Sequence, residues 1–370
     1  MDLQMIFLIV IMFITMFFSD KSKKKSCVQI VTVIMTLFSG LRTWWFGDLI
    51  KYYTLYSNCN GSEWRDYVFE DFGNIGIRLF FRSFGAVGLS YDVCIFVIAA
   101  FVAVTLGVLV YRYSPSPYWS YVIYIAMGFY LFTFSGLKQA IAMSFIMIAF
   151  IGLVGGKFKN FLIWTLIAGL FHAPALIFLI VYPMSKKKLD WQYALIILGI
   201  IVAVFVFKNQ IIEFMSEAYY GEGDKFEESG SLLGGRFLMM AFIIVIGMIL
   251  RPIRQNDVVY CKVFNIMIIA SILQMFSAYD NNFTRLADYY YQFIVLFLPL
   301  MLETGGERVL ANPEIMEDVI FHDNRIYVFL SIGISLFALW YYNSYVEGSA
   351  WLLDNFKFCW EIDPYSLYGT

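Results

Sequence analysis

Charge is scarce in this chain. Of its 370 residues only 15% are Asp, Glu, Lys or Arg, against about 25% in ordinary domains. Histidine occurs twice, as His172 and His322. The five cysteines (Cys27, Cys59, Cys94, Cys261 and Cys359) are scattered, odd in number and form no CxxC. That pattern supports neither a zinc site nor a disulfide framework. No acid-rich cluster suggests a divalent ion, so neither a metal nor a cofactor is expected. A P-loop, a Rossmann glycine pattern, HExxH and a serine nucleophile elbow are all missing. The net charge of −2 argues against a nucleic-acid partner. No linker rich in Gly, Ser or Pro interrupts the chain, so residues 1–370 read as one integral domain.

What the chain has is apolar length. It is 61% hydrophobic and 20% aromatic, with a mean hydropathy of +0.71. The apolar residues fall in blocks broken by short charged loops. A bilayer core takes about 20 apolar residues per helix, so the expected fold is all-α, a polytopic membrane helix bundle of about 10–11 spans. The blocks are 3–19, 27–41, 91–111, 118–135, 139–155, 160–182, 191–207, 236–250, 259–278, 289–303 and 326–343. The first has its lysines after it and no small-residue cleavage site, which reads as a span and not as a signal peptide.

Positive charge near span ends sets orientation. Lys21, Lys23, Lys24 and Lys25 are taken as cytoplasmic, which puts residues 42–90 outside. Lys157 and Lys159 then fall inside. If 160–182 crosses once, Lys186, Lys187 and Lys188 fall outside, against the rule. Pro174 cannot donate to a helix ladder, so a re-entrant hairpin broken near His172 is the favoured reading and a single kinked span the other. With the hairpin, the acidic loop 208–235 and the segment 279–288 are external, 304–325 is internal and the tail after 343 is external. Residues 72–90, with Arg78 and Arg82 four apart, suit an amphipathic helix lying in the interface with both arginines at headgroups.

Ionisable residues in or beside spans are functional suspects. Arg42, Asp48 and Lys51 follow the second span, with Trp44, Trp45, Tyr52 and Tyr53 around them. A guanidinium fork suits phosphate or carboxylate, and the aromatic rings could stack on sugars or form an interfacial belt. Lys138 and Gln139 open an apolar helix followed by small residues. His172 sits at the proline break, where a neutral imidazole could accept a proton or simply pack. Arg285 enters a late span beside Asn281, Asn282 and the tyrosines Tyr289, Tyr290 and Tyr291.

In this order the segments resemble the EpsG-like family of Wzy-type polysaccharide polymerases. The matching residues are Arg42, Gly47, Asp48 and Tyr52, then Lys138, Gln139 and Ala142, then Phe171, His172 and Ala175, then Arg285 and Tyr289. The resemblance spans about residues 35–300. Three departures stand out. Gly47 and Asp48 lack an intervening residue, Lys138 stands where relatives carry Arg, and a Glu-Pro-Gly-like element is echoed only by Glu70 and Gly73.

The resemblance implies a metal-independent glycosyltransferase of the bacterial plasma (inner) membrane. It would join polyprenyl-diphosphate-linked oligosaccharide repeat units at the outer face. Arg42, Lys138, Gln139, Arg285, Tyr52 and Tyr289 would bind substrate, and His172 or Asp48 would be the base. Membrane lipid surrounds it, and other polysaccharide-assembly proteins, such as a flippase and a chain-length regulator, are the further expected partners. Two alternatives stay open. One is a transporter or flippase of lipid-linked sugars, although no internal repeat is evident. The other is an integral-membrane O-acyltransferase, which the histidine fits and the ordered arginines do not.

Overall fold

The computed structural model describes residues 3–18, 21–44, 48–61, 63–185, 191–207, 209–211, 213, 235–254, 257–278, 281–302, 335–336, 338–341 and 357–361. Trp45, Gly47, Lys186, Lys187, Lys188, His322, most of the acidic segment 208–235, residues 304–325 and most of the apolar block 326–343 lie outside the described residues. Every named element is helical, as the sequence leads one to expect of an all-α membrane bundle. Three helices are long and apolar enough to cross a membrane, Tyr91–Tyr113, Leu137–Val154 and Val258–Ser277. The chain forms two compact units, residues 1–177 with 298–370 and residues 178–297.

The first unit opens with α1 (Leu3–Phe17) and α2 (Lys24–Gly40). A run of short helices follows: α3 (Asp48–Ser57), α4 (Trp64–Phe69) and α5 (Ile75–Ala86). Next come α6 (Tyr91–Tyr113), α7 (Pro117–Ala126), α8 (Phe129–Phe132), α9 (Leu137–Val154) and α10 (Phe158–Phe171). Helix α6 packs between α2 and α9, and α10 lies along α9. Glycine lets these helices close up. A Cβ on Gly107 of α6 would meet the Thr32 hydroxyl at 2.5 Å, and one on Gly152 of α9 would meet the Phe161 backbone nitrogen at 2.9 Å. Bilayer helices lack a hydrophobic drive toward each other, so such close backbone approach is a principal source of their attraction.

Two blocks are broken: 118–135, expected as a single helix, and 160–182, where a break near His172 is the favoured reading. Block 118–135 divides into α7 and α8 at Gly128, whose φ of 81° is left-handed. Block 160–182 divides at His172, which is extended at φ −152° and ψ 103° and is followed by a 3₁₀ run, Ala173–Ile180, and α11 (Val181–Met184). Pro174 explains the second break. In a continued helix its ring would collide with the Leu170 carbonyl and leave that carbonyl without a donor. Past the break the chain leaves the α10 axis. A Cβ on Gly169 would meet Leu176 Cδ2 at 2.5 Å, whereas seven residues of straight helix advance about 10 Å.

Helix α5 seats on that break. A Cβ on Gly76 would lie 2.8 Å from the carbonyl carbon and oxygen of Leu170 and from the Phe171 ring. The expected contact of Arg78 with lipid headgroups is corrected here. Arg78 is 7% exposed. It donates to the Tyr67 carbonyl at 2.7 Å and to Glu70 at 2.5 Å, so Arg78 ties α5 to α4 and does not reach lipid headgroups. Arg82 is half-buried, with its guanidinium 5.2 Å over the Trp64 ring.

One further link closes the first unit. Thr43 N donates to the Lys357 carbonyl at 2.9 Å, and Cys359 N to the Leu41 carbonyl at 2.8 Å. The residues just past α2 thus pair antiparallel with residues 357–359.

The second unit is built from α11, α12 (Trp191–Val206), α13 (Gly235–Arg254), α14 (Val258–Gln274), α15 (Asn281–Tyr291) and the start of α16 (Ile294–Leu302). Asp257 caps α14 by accepting from Val259 N and Tyr260 N, which satisfies two of the donors a helix start leaves open. Tyr260 donates to the Gly247 carbonyl at 2.5 Å, and Asn265 to the Met184 carbonyl at 2.9 Å. Phe178 packs on Tyr290 and Phe293 at ring separations of 5.5 and 5.7 Å.

Gly76→Ala is expected to destabilise the protein by about 1–3 kcal/mol, because its Cβ meets backbone that cannot yield cheaply. Gly199→Ala, where a Cβ meets nothing within 4 Å, is expected to be neutral or slightly stabilising. Thermal unfolding of the purified protein in detergent measures both. Equal midpoints would mean that α5 does not seat on the α10 break.

Candidate functional site

Three of the four sequence motifs meet in the first unit. Trp44, Leu49 and Leu137 belong to one buried cluster that also holds Ile77, Phe81 and Tyr91, and Tyr52, Tyr53 and Phe171 pack against it. Each apolar residue stands within two positions of an ionisable one: Trp44 beside Arg42, Leu49 beside Asp48, Leu137 beside Lys138 and Phe171 beside His172. Burying a large apolar side chain is worth roughly 1.5–3 kcal/mol. The cluster therefore fixes the polar neighbours more firmly than their own surface contacts could.

Arg42 is 2% exposed. It donates to the Ser39 carbonyl at the end of α2 and, at 3.4 Å, to the Thr133 carbonyl. Its guanidinium lies 5.0 Å over the Phe134 ring. No carboxylate pairs with it among the described residues, and its buried Nε has no hydrogen-bond partner. The charge is carried by carbonyl dipoles, including those of a helix C-terminus, where a cation is favoured.

Asp48 begins α3 and pairs with Lys51 at 2.9 Å. Both side chains are well exposed, so the pair contributes little, about 0–1 kcal/mol, and leaves the carboxylate accessible. Tyr52 is half-buried. Trp44 is fully buried and stacks on Tyr53 at 4.0 Å. The Trp44 indole is thus core, which corrects its reading as a ring open to sugars.

Lys138 opens α9 and is half-buried. Its ammonium donates to Asn74 Oδ1 at 2.6 Å, across 64 residues. Asn74 in turn donates through Nδ2 to Asp71, which also accepts from Gly73 N at 2.8 Å. Asp71 and Asp48 both lie within electrostatic reach of Lys138. The Asn74 amide, and after it the Gly73 N–H, hold the Asp71 carboxyl below its ordinary range. This preference for the ionised form is present above the ordinary carboxylate pKa and lost as pH falls through the lowered one. Gln139 is 4% exposed and packs inside the bundle.

Asp71 and Asn74 were not among the sequence candidates. The local sign was there, since Asp-x-Gly-Asn just before a helix is an Asx turn. The partner on α9 had no sign at all. His172 ends α10 half-buried, with its N–H on the Ala168 carbonyl at 3.0 Å and its own carbonyl accepting from Ala175 N at 2.9 Å. The 3₁₀ turn Phe72–Asn74 and α5 both pack on α10, which brings the Asp71–Asn74 turn to the helix that His172 terminates.

Arg285 and Tyr289 belong to the second unit, both on α15. Arg285 is exposed, and Tyr289 is fully buried together with Tyr290 and Tyr291.

Asn74→Ala is expected to cost about 1.5–3 kcal/mol, the range for a hydrogen bond to a charged group. It should also speed acylation of the Lys138 amine, read by mass spectrometry after brief treatment with an amine-reactive reagent. Asn74→Asp keeps an acceptor and should hold Lys138. If Asn74→Ala leaves both the unfolding midpoint and the Lys138 reactivity at wild-type values, the bridge is absent in solution.

A family model described as the EpsG family matches residues 25–352. No curated protein and no solved structure matches the chain.

Proposed function

The chain belongs to the EpsG family, and on that premise we propose that it is a polysaccharide polymerase of the bacterial plasma membrane. It transfers a growing chain from its polyprenyl diphosphate onto the next lipid-linked repeat unit at the outer face. The observation that carries the reading is one buried cluster that holds Trp44, Leu49 and Leu137, with Phe171 packed against it, the sequence neighbours of Arg42, Asp48, Lys138 and His172.

The chemistry follows from the substrates. The acceptor hydroxyl oxygen attacks the anomeric carbon of the donor, and the bond from that carbon to the diphosphate oxygen breaks. The electron pair leaves with the lipid diphosphate, and the hydroxyl proton passes to a base. Cations that gain contact as negative charge develops on the leaving group lower the barrier. Lys138 and Arg42 are the candidates for that role in the first unit, and Arg285 is a further candidate on its sequence motif alone. Arg42 supports it through a charge with no acid partner among the described residues and a buried Nε with no hydrogen-bond partner there. At 2% exposure, its shell must part before an anion reaches it. His172 is the favoured base, since imidazole exchanges protons near neutral pH, and Asp48 is the second candidate.

The topology we propose rests on parity. Residues 41–43 pair with residues 357–359, so an even number of crossings separates them. Leaving out 160–182, the apolar blocks from 91–111 to 326–343 number eight. The block 160–182 then returns to its own side, as a re-entrant hairpin with His172 at its break. A single cysteine at position 185, placed in a cysteine-free background, is therefore expected to resist an impermeant external thiol reagent. Rapid labelling in intact cells would make 160–182 a true crossing.

Deleting the gene is expected to remove long polymer and leave single lipid-linked repeat units at the outer face. Repeat units held on the cytoplasmic side would point to flipping instead. In transfer assays, Arg42→Ala and Arg285→Ala are each expected to lose roughly 10- to 150-fold, the equivalent of about 1.5–3 kcal/mol. Lysine at either position rescues only partly, because it lacks the bidentate fork. His172→Ala loses turnover more than donor binding, and Lys138→Arg is tolerated. Wild-type transfer by both arginine variants, at normal membrane levels, would reduce those residues to anchors.

A further inference from the structure

The turn at residues 357–361 is built around an exposed tryptophan. Four hydrogen bonds hold it. Two are the bonds to Leu41 and Thr43 that pair it with the end of α2. The others are internal, Glu361 N to the Phe358 carbonyl at 3.0 Å and Phe358 N to the Glu361 carboxylate at 2.6 Å. Phe358 sets its ring edge-on against Phe38 of α2, 6.1 Å away. The Trp360 indole then stacks on Phe358 at 4.5 Å and 6° from parallel, and it remains 67% exposed.

We propose that Trp360 is a sugar-binding platform at the edge of the Arg42 site. The inference rests on the polymerase reading and names the group that holds the carbohydrate beside the diphosphate. One indole face is used by Phe358, which leaves the other as a flat, rigid surface whose ordering is already complete in the free protein. One side of a pyranose ring is a row of C–H groups with partial positive charge, and an aromatic face is negative. The two surfaces match in shape and in sign. Position matters as much as shape. The sugar nearest a lipid diphosphate is bonded to it directly, and Phe358, on which Trp360 stacks, is the residue bridged to Arg42. The flanking Lys357 and Glu361 are exposed, so charged groups border the ring. Trp44 cannot take the role, because it is fully buried, and Tyr53 packs against the same buried cluster.

The test uses the full chain reconstituted in liposomes, with lipid-linked repeat unit isolated from a strain lacking the gene. Equilibrium binding of that repeat unit and its transfer are measured side by side for wild type, W360A and W360F. We expect W360A to weaken binding and raise KM by roughly 2- to 13-fold, as for loss of an aromatic contact, with kcat within about twofold. W360F, which keeps a flat ring, should stay near wild type and shows that the turn still folds. Unchanged binding in W360A would overturn the platform and leave Trp360 an interfacial anchor. Equal loss in W360F and W360A would overturn it too, because a ring would then not suffice. If W360A weakens binding while wild type transfers nothing, the platform stands and the polymerase reading falls.

Discussion

Pro174 has no amide hydrogen to offer Leu170, and much of the first unit is arranged around that missing bond. In a bilayer a backbone carbonyl without a donor costs several kcal/mol unless protein encloses it. Here the enclosure is α5. Gly76 presents no side chain and settles directly on the Leu170 carbonyl. That seat fixes α5, and α5 fixes the turn before it. From the turn, Asn74 reaches Lys138, and one helical turn further on Arg78 reaches back to Glu70 and Tyr67. A helix stop in one segment thus places a cation's partner in another.

This dependence explains what could be read from the sequence. The apolar blocks and the break at His172 were legible, because bilayer length and proline geometry act on each segment alone. The division of 118–135 at Gly128 was not, since a glycine inside an apolar run gives no sign that its φ will be positive. The amphipathic pattern around Arg78 misled for a related reason. Two arginines four apart mark one helix face whether that face meets headgroups or a neighbouring helix, and only the position of Glu70 decides. The Asn74–Lys138 bond joins residues 64 apart through two small groups that leave no periodic trace.

The site's electrostatics are more specific than a count of charges suggests. Among the described residues, the nearest partners of the two cations are neutral. Arg42 rests on the carbonyls of Ser39 and Thr133, and Lys138 on the amide oxygen of Asn74. The acids stand one step back, Asp71 behind Asn74 and Asp48 on Lys51. A carboxylate in direct contact would neutralise each cation, and an incoming anion would have to displace it. Carbonyl and amide oxygens orient a cation while leaving its formal charge in place, so the field toward an incoming anion is kept. In a low-dielectric setting that field is strong, and an uncompensated buried charge is costly to maintain. Among the described residues neither cation touches a carboxylate, the arrangement that an anionic ligand of the proposed site would complete.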